Sequence, residues 1–78
     1  MNSFRNYYTK NNKNLDHNDL NFLNWMDNIE LKVYRAIGLT LLDLPDEPYR
    51  IHFDSKIDWK CVASNIIEDF NENLESFM

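Results

Sequence analysis

A helical pattern of apolar residues in the first half of the chain constrains the fold more than any other feature. Between residues 22 and 37 apolar residues recur at intervals of three and four: Phe22, Met26, Ile29, Val33 and Ile37. This spacing predicts one face of an α-helix, which has about 3.6 residues per turn. Asn18 or Asp19 can cap the start, and Gly38 stands where a left-handed residue would end the helix. We therefore predict a long helix from about residue 19 to residue 37.

The same helix carries more apolar surface than one core-facing stripe needs. Beside the stripe, further apolar side chains continue round the cylinder: Leu20, Leu23, Trp25, Leu31, Tyr34 and Ala36. The clean polar face is narrow and consists of Asn21, Asn24, Asn28, Lys32 and Arg35. A helix that is apolar over most of its girth must be covered on two sides. Either it is central to the domain, or part of it faces another molecule through Trp25, Leu31 and Tyr34.

Glu30 interrupts this apolar surface, because it projects between Leu23 and Ile37. An ionised carboxylate that is buried there without a partner would be costly. One interpretation is that Glu30 pairs with Arg50 or Lys56, or reaches the surface. The other is that it is an exposed anchor for a basic group on a partner.

A second amphipathic helix is predicted near the carboxyl end, from a cap at Asp58 to about Ser76. Its apolar stripe consists of Trp59, Val62, Ala63, Ile66, Phe70, Leu74 and Phe77. Acidic residues lie opposite or at the border: Glu68, Asp69, Glu72 and Glu75. Such a face is commonly just solvated. Alternatively it is a ridge that binds a basic protein surface, since its acids are spaced roughly like the phosphates of one nucleic-acid strand.

Residues 39–46 between these helices predict a loop with buried leucines, and Asp46 is the candidate cap of a short helix that follows. Tyr49 and Phe53 would then share one helix face. The alternative is a strand, because apolar and polar residues alternate from residue 49 to residue 54. Helix is favoured, since the sequence offers no second strand for pairing. Arg50 is expected to pair with an acid of the preceding loop (Asp43, Asp46 or Glu47) or with Asp54.

Residues 1–18 have no helical stripe and hold three basic residues against one acidic residue. We predict a flexible basic arm there, although Phe4, Tyr7 and Tyr8 could dock onto the body or onto a partner. Residues 19–78, with five basic and twelve acidic residues, would form a single helical domain. The predicted fold class is all-α, a small three-helix bundle preceded by this arm.

The net charge and the composition of the chain argue against several classes of function. The 78 residues carry a net charge of −5, which argues against binding to nucleic acid through phosphate contacts. Cys61 is the one cysteine, and no stretch approaches the roughly 20 apolar residues of a membrane span, so we expect a cytoplasmic protein that is not membrane-bound. His17, His52 and Cys61 are too few for a zinc site. We predict no metal, no cofactor and no enzymatic activity.

The order of several residues resembles a pattern in short, mostly uncharacterised proteins of phages and mobile elements. It covers about residues 25–67 and includes Trp25, Val33, Gly38, Asp43-Leu44-Pro45-Asp46, Tyr49-Arg50, Phe53 and Val62-Ala63. Those proteins read roughly as Trp, a helix, Gly, then D-L-P-D-x-x-Y-R-x-x-[FW], a Gly-x-Ser-Pro turn and an Ala-rich helix. This chain has Lys56-Ile57-Asp58-Trp59 in place of that turn. The resemblance implies a small helical fold and a mobile-element origin, without an activity.

The leading hypothesis is an accessory protein of a phage or mobile element that binds a host protein stoichiometrically. An inhibitor of a defence nuclease, of the anti-CRISPR kind, is its concrete form. Two alternatives stay open. A small DNA-binding regulator could use Arg5, Lys10 and Lys13 as a minor-groove arm. A self-associating structural protein could form a homodimer through a seam of Trp25, Leu31 and Tyr34.

Overall fold

Helices make up the part of the chain that this computed structural model describes, which is residues 3–45 and 47–75, with residues 73–75 described by their backbone alone. The elements in chain order are α1 (Ser3–Asn11), α2 (His17–Ile37), a 3₁₀ turn (Leu41–Asp43), α3 (Tyr49–Asp54) and α4 (Trp59–Glu75). Within those ranges there is no strand, so the all-α prediction is confirmed and residues 49–54 are helical. The predicted cap Asp46 lies outside the described residues, and Pro48 rather than Asp46 is at the N-cap position of α3.

The centre of the domain is α2. Its stripe supplies the most deeply buried side chains, which are Phe22, Leu23, Met26, Ile29 and Val33. Leu41, Tyr49 and three residues of α4 (Val62, Ala63 and Ile66) complete the core. Of the four loop leucines, Leu41 is buried, Leu39 and Leu44 are half-buried and Leu42 is exposed. The side chains of Leu74 and Phe77 lie outside the described residues.

Both ends of α2 are fixed by caps. Asp16, rather than Asn18 or Asp19, is the N-cap: its Oδ1 accepts a hydrogen bond from the Asp19 N–H at 2.8 Å. The Asp19 carboxylate in turn accepts one from the Asp16 N–H at 3.2 Å, which completes a capping box. At the other end Gly38 has φ 74° and its N–H donates to the Tyr34 carbonyl, as predicted.

The N-terminal segment differs from the prediction, because Ser3–Asn11 is a helix that packs on α2. The Phe4 and Tyr8 rings lie 6.0 and 5.7 Å from the Phe22 ring, between centroids. Arg5 forms a salt bridge of 2.7 Å with Asp27. Over Ser3–Asn11 the structure therefore corrects the prediction of a flexible arm. The apolar contacts of α1 with α2 come from two aromatic residues one turn apart, too few to produce a recognisable stripe.

The turn from α3 into α4 contains a lysine in a left-handed conformation. Lys56 has φ 61°, and its N–H donates to the Phe53 carbonyl at 3.0 Å. The Ile57 N–H donates to the His52 carbonyl at 3.1 Å, so the turn is a Schellman motif. Asp58 then caps α4, as predicted, by accepting a hydrogen bond from the Lys60 N–H at 2.9 Å.

Replacing Lys56 with glycine should stabilise the protein by about 0.5–1 kcal/mol. Glycine removes the strain of the left-handed conformation, which is about 1–2 kcal/mol. This gain exceeds the stability that is lost because glycine makes the unfolded chain more flexible. Gly38→Ala is the matched opposite change and should cost about 1 kcal/mol through strain alone, because no atom lies within 4 Å of an added Cβ. Urea denaturation measures both, and a Lys56→Gly protein less stable than wild type would contradict this account.

Candidate functional site

The predicted acidic ridge is an exposed face of α4. Glu68, Asp69 and Glu72 are all exposed, while the side chain of Glu75 lies outside the described residues. The salt bridges of the described residues join other acids, namely Asp19, Asp27 and Asp54, to Arg5 and Arg50. The carboxylates of α4 that the structure describes therefore carry negative charge that no lysine or arginine of the described chain neutralises.

Glu30 is neither an exposed anchor nor a partner of Arg50 or Lys56, so both interpretations of this residue were wrong. It is 1% exposed, and its carboxylate accepts three backbone hydrogen bonds. Oε1 accepts from the Ser3 N–H at 2.7 Å, and Oε2 accepts from the N–H groups of Phe4 and Leu41 at 3.3 Å each. Because the first amides of a helix have no partner within it, this carboxylate caps α1 and ties it to the 3₁₀ turn.

The side chain of Trp25 also makes contacts within the domain. Its Nε1–H donates to the Ile57 carbonyl at 3.0 Å, and its ring lies 5.6 Å from that of Phe53. At about 100° per residue, Trp25 points about 120° away from Leu31 and about 180° from Tyr34, so the three cannot form one seam. Leu31 and Tyr34 are exposed, as is Leu20 on the same side of α2.

Arg50 joins α3 to α2. Its guanidinium contacts Asp19 at 2.8 Å, which was not among the predicted partners, and Asp54, which was, at 3.4 Å. The same group lies 5.1 Å from the centroid of the Phe22 ring. The hydrogen bond from Arg50 holds the pKa of Asp19 below its ordinary value, and the same bond raises the pKa of Arg50. The charge of Arg50 is therefore matched within the chain.

An open cleft of about 680 Å³ lies between α1, the 3₁₀ turn and α3. Its walls are mostly apolar and aromatic, and they consist of Phe4, Tyr7, Tyr8, Phe22, Leu41, Leu42, Glu47, Pro48, Tyr49, Arg50 and Ile51. Sequence reasoning missed this cleft, because one wall is α1, where no helix was predicted. The signal that could have found it is the trio Phe4, Tyr7 and Tyr8 in an otherwise polar segment.

Glu47 is a half-buried acid of this cleft. Burial raises the pKa of its carboxyl group; the charge of His52 lowers this pKa and that of Asp69 raises it. No described residue donates a hydrogen bond to this carboxylate. Glu47 and Asp69 also line a smaller depression of about 240 Å³ beside Ile66 and Phe70. Of the acidic residues of α4, Asp69 is thus the one that lies next to Glu47.

Comparison with family models, with curated proteins and with solved structures finds no match for this chain. Among the described residues, no group of three or more His, Cys, Asp and Glu side chains is placed to hold a metal ion. Cys61 is exposed and unbridged. None of the helices in the described ranges is both long and apolar enough to cross a membrane.

Proposed function

We propose that this protein is a small accessory protein of a phage or mobile element that acts by stoichiometric binding to a host protein with a basic surface. The observation that carries the proposal is the acidic face of α4, where Glu68, Asp69 and Glu72 are exposed without a salt bridge to a described lysine or arginine. Uncompensated charge of one sign steers a partner of the opposite sign.

The concrete form of the proposal is an inhibitor of a host defence nuclease, which the protein would disable by occupying its nucleic-acid channel. Glu68 and Glu72 are one helical turn apart, so their separation along the axis is about 6 Å. This is close to the spacing of successive phosphates along one strand, and a nuclease channel is lined with cations that recognise such a series. Binding of this kind needs no catalytic group and no cofactor.

The double variant Glu68→Gln/Glu72→Gln should bind the host partner about tenfold more weakly. The variant Asn21→Lys/Asn28→Lys is its matched control, because it changes the net charge by the same amount on the polar face of α2. Capture from host lysate followed by titration of the retained protein measures both. We expect one dominant basic protein, whose binding weakens steeply with salt.

Equal losses in the two variants would contradict the role of α4, because they would show an effect of net charge alone. Recovery of only ribosomes and chaperones would contradict the proposal as a whole.

The DNA-binding alternative is tested in parallel by a gel shift at low salt. One of its three arm cations, Arg5, is already bound to Asp27 and Asn24.

Self-association is the second candidate function, and the exposure of Leu20, Leu31 and Tyr34 on one side of α2 favours it. At about 100° per residue the three lie within about 60° of one another, so they can form a seam without Trp25. Light scattering at two protein concentrations distinguishes a dimer from a monomer, and a monomer at both concentrations would contradict self-association.

A further inference from the structure

The rim of the cleft between α1, the 3₁₀ turn and α3 is unusually apolar. Tyr7, Leu42 and Ile51 are 56%, 50% and 65% exposed, and each belongs to a different element. Single exposed apolar residues are common on proteins, but a cluster around a concave site is typical of a binding surface. The volume of about 680 Å³ is within the range of ligand sites.

The floor of this cleft is preformed by contacts within the chain. The Phe4 ring stacks on Tyr8 and meets the Tyr49 ring edge-on, each at 6.0 Å between centroids. Below them the buried carboxylate of Glu30 holds the backbone of Phe4 and Leu41. A preformed site binds without the cost of ordering its own walls.

The charged side chains in the cleft favour a ligand with a positive charge. Arg50 offers no free positive charge, because Asp19 and Asp54 already hold its guanidinium. Glu47 offers a half-buried carboxylate that accepts no hydrogen bond from a described residue. A cation placed beside it would replace the hydration that burial removes, and would form a charge-assisted hydrogen bond.

We propose that this cleft receives an apolar segment of a partner protein that carries one lysine or arginine, and that this basic side chain pairs with Glu47. The inference rests on the proposed function, of which it specifies the partner. Because Glu47 and Asp69 line the same depression, a partner seated in the cleft has Asp69, at the border of the acidic face of α4, close to its basic side chain. Its basic surface would lie on α4, and its apolar segment between α1 and α3.

The test is a selection of short random peptides on the full protein, with counter-selection on the variant Leu42→Ala/Ile51→Ala. Both residues are exposed, so the variant should fold normally. We expect enriched peptides to combine several apolar residues with one lysine or arginine. Their affinity should fall about tenfold on Leu42→Ala/Ile51→Ala. The matched variant Leu31→Ala/Tyr34→Ala, which removes two exposed apolar side chains elsewhere, should leave affinity unchanged.

Glu47→Gln tests the ion pair. On the wild-type protein, replacing the basic residue of a selected peptide with norleucine should weaken binding about tenfold, and on Glu47→Gln this difference should vanish. The proposal is overturned if no peptide depends on Leu42 and Ile51, if the peptides lack a basic residue, or if the norleucine effect survives in Glu47→Gln. Dependence of the host partner on Glu68 and Glu72 would persist in each case, so failure here is distinct from failure of the proposed function.

Discussion

Replacing Glu30 with alanine should lower the free energy of unfolding by about 2–4 kcal/mol and release α1 from the body. The substitution leaves the Leu41 N–H buried without an acceptor, which costs about 1–3 kcal/mol. The Ser3 and Phe4 N–H groups are only part-buried, so each adds a smaller loss. A domain of this size has a total stability of about 5 kcal/mol. The change therefore removes a large part of it.

Urea denaturation measures the decrease in the free energy of unfolding, and amide hydrogen exchange shows which parts of the chain are destabilised. The amides of Leu41 and of α1 should exchange faster in Glu30→Ala, while those of Val62 and Ile66 in α4 follow global unfolding. Glu30→Gln is the control for charge: it keeps one acceptor oxygen but turns an amide NH₂ toward backbone donors, so its loss should be intermediate. A Glu30→Ala protein with wild-type stability, or with unchanged exchange at Leu41, would contradict the role assigned to this carboxylate.

Glu30 also shows how far the sequence can be interpreted. Its position between Leu23 and Ile37 marked it as unusual, and the cost of burying a charge indicated that it needed a partner. The sequence suggested side-chain cations, whereas the partners are backbone N–H groups of Ser3, Phe4 and Leu41. Every residue except proline carries a backbone N–H, so the sequence does not show which of these groups will bind the Glu30 carboxylate.

The long periodic elements were predictable, because a single face repeated over several turns is a strong signal. The end of α2 at Gly38 and the cap of α4 at Asp58 followed from local chemistry. The short α1 was not predictable in this way, since it is held by contacts with α2 rather than by its own pattern. The pairing of Arg50 with Asp19 spans 31 residues, and sequence spacing carries no information at that range.

The candidate site depended most on those long-range contacts. The acidic face of α4 could be derived from one helix, and the structure places Glu68, Asp69 and Glu72 at its surface. The cleft requires α1, the 3₁₀ turn and α3 to meet around Phe22. The sequence makes Trp25 a candidate for partner binding because it adds to the apolar surface beyond the core stripe, but in the structure it contacts the ring of Phe53 and donates to the carbonyl of Ile57.

Replacing Phe22 with alanine should cost about 3–5 kcal/mol, because it empties the centre of the aromatic cluster. Phe22 is 2% exposed, and four rings contact it: Phe4, Tyr8, Trp25 and Phe53. The guanidinium of Arg50 also lies over its face. The protein should be largely unfolded at 37 °C, with loss of the near-ultraviolet circular dichroism of its aromatic residues. Phe22→Leu, which keeps most of the volume, should cost about 1–2 kcal/mol and retain the fold.

Phe22 and Glu30 hold the same helix by different contacts, so their effects should not be additive. Phe22 packs against the Phe4 and Tyr8 rings, while Glu30 binds the backbone at the start of α1. A change that loosens α1 at one of these contacts also weakens the other, so the second substitution has less binding energy left to remove. The double variant Phe22→Leu/Glu30→Gln should therefore be more stable than the sum of the single losses predicts, by about 0.5–1 kcal/mol. The pair Ile66→Val/Glu30→Gln is the control and should be additive, because Ile66 belongs to α4. Additivity in both pairs would show that α1 is not held jointly by the aromatic cluster and the buried carboxylate.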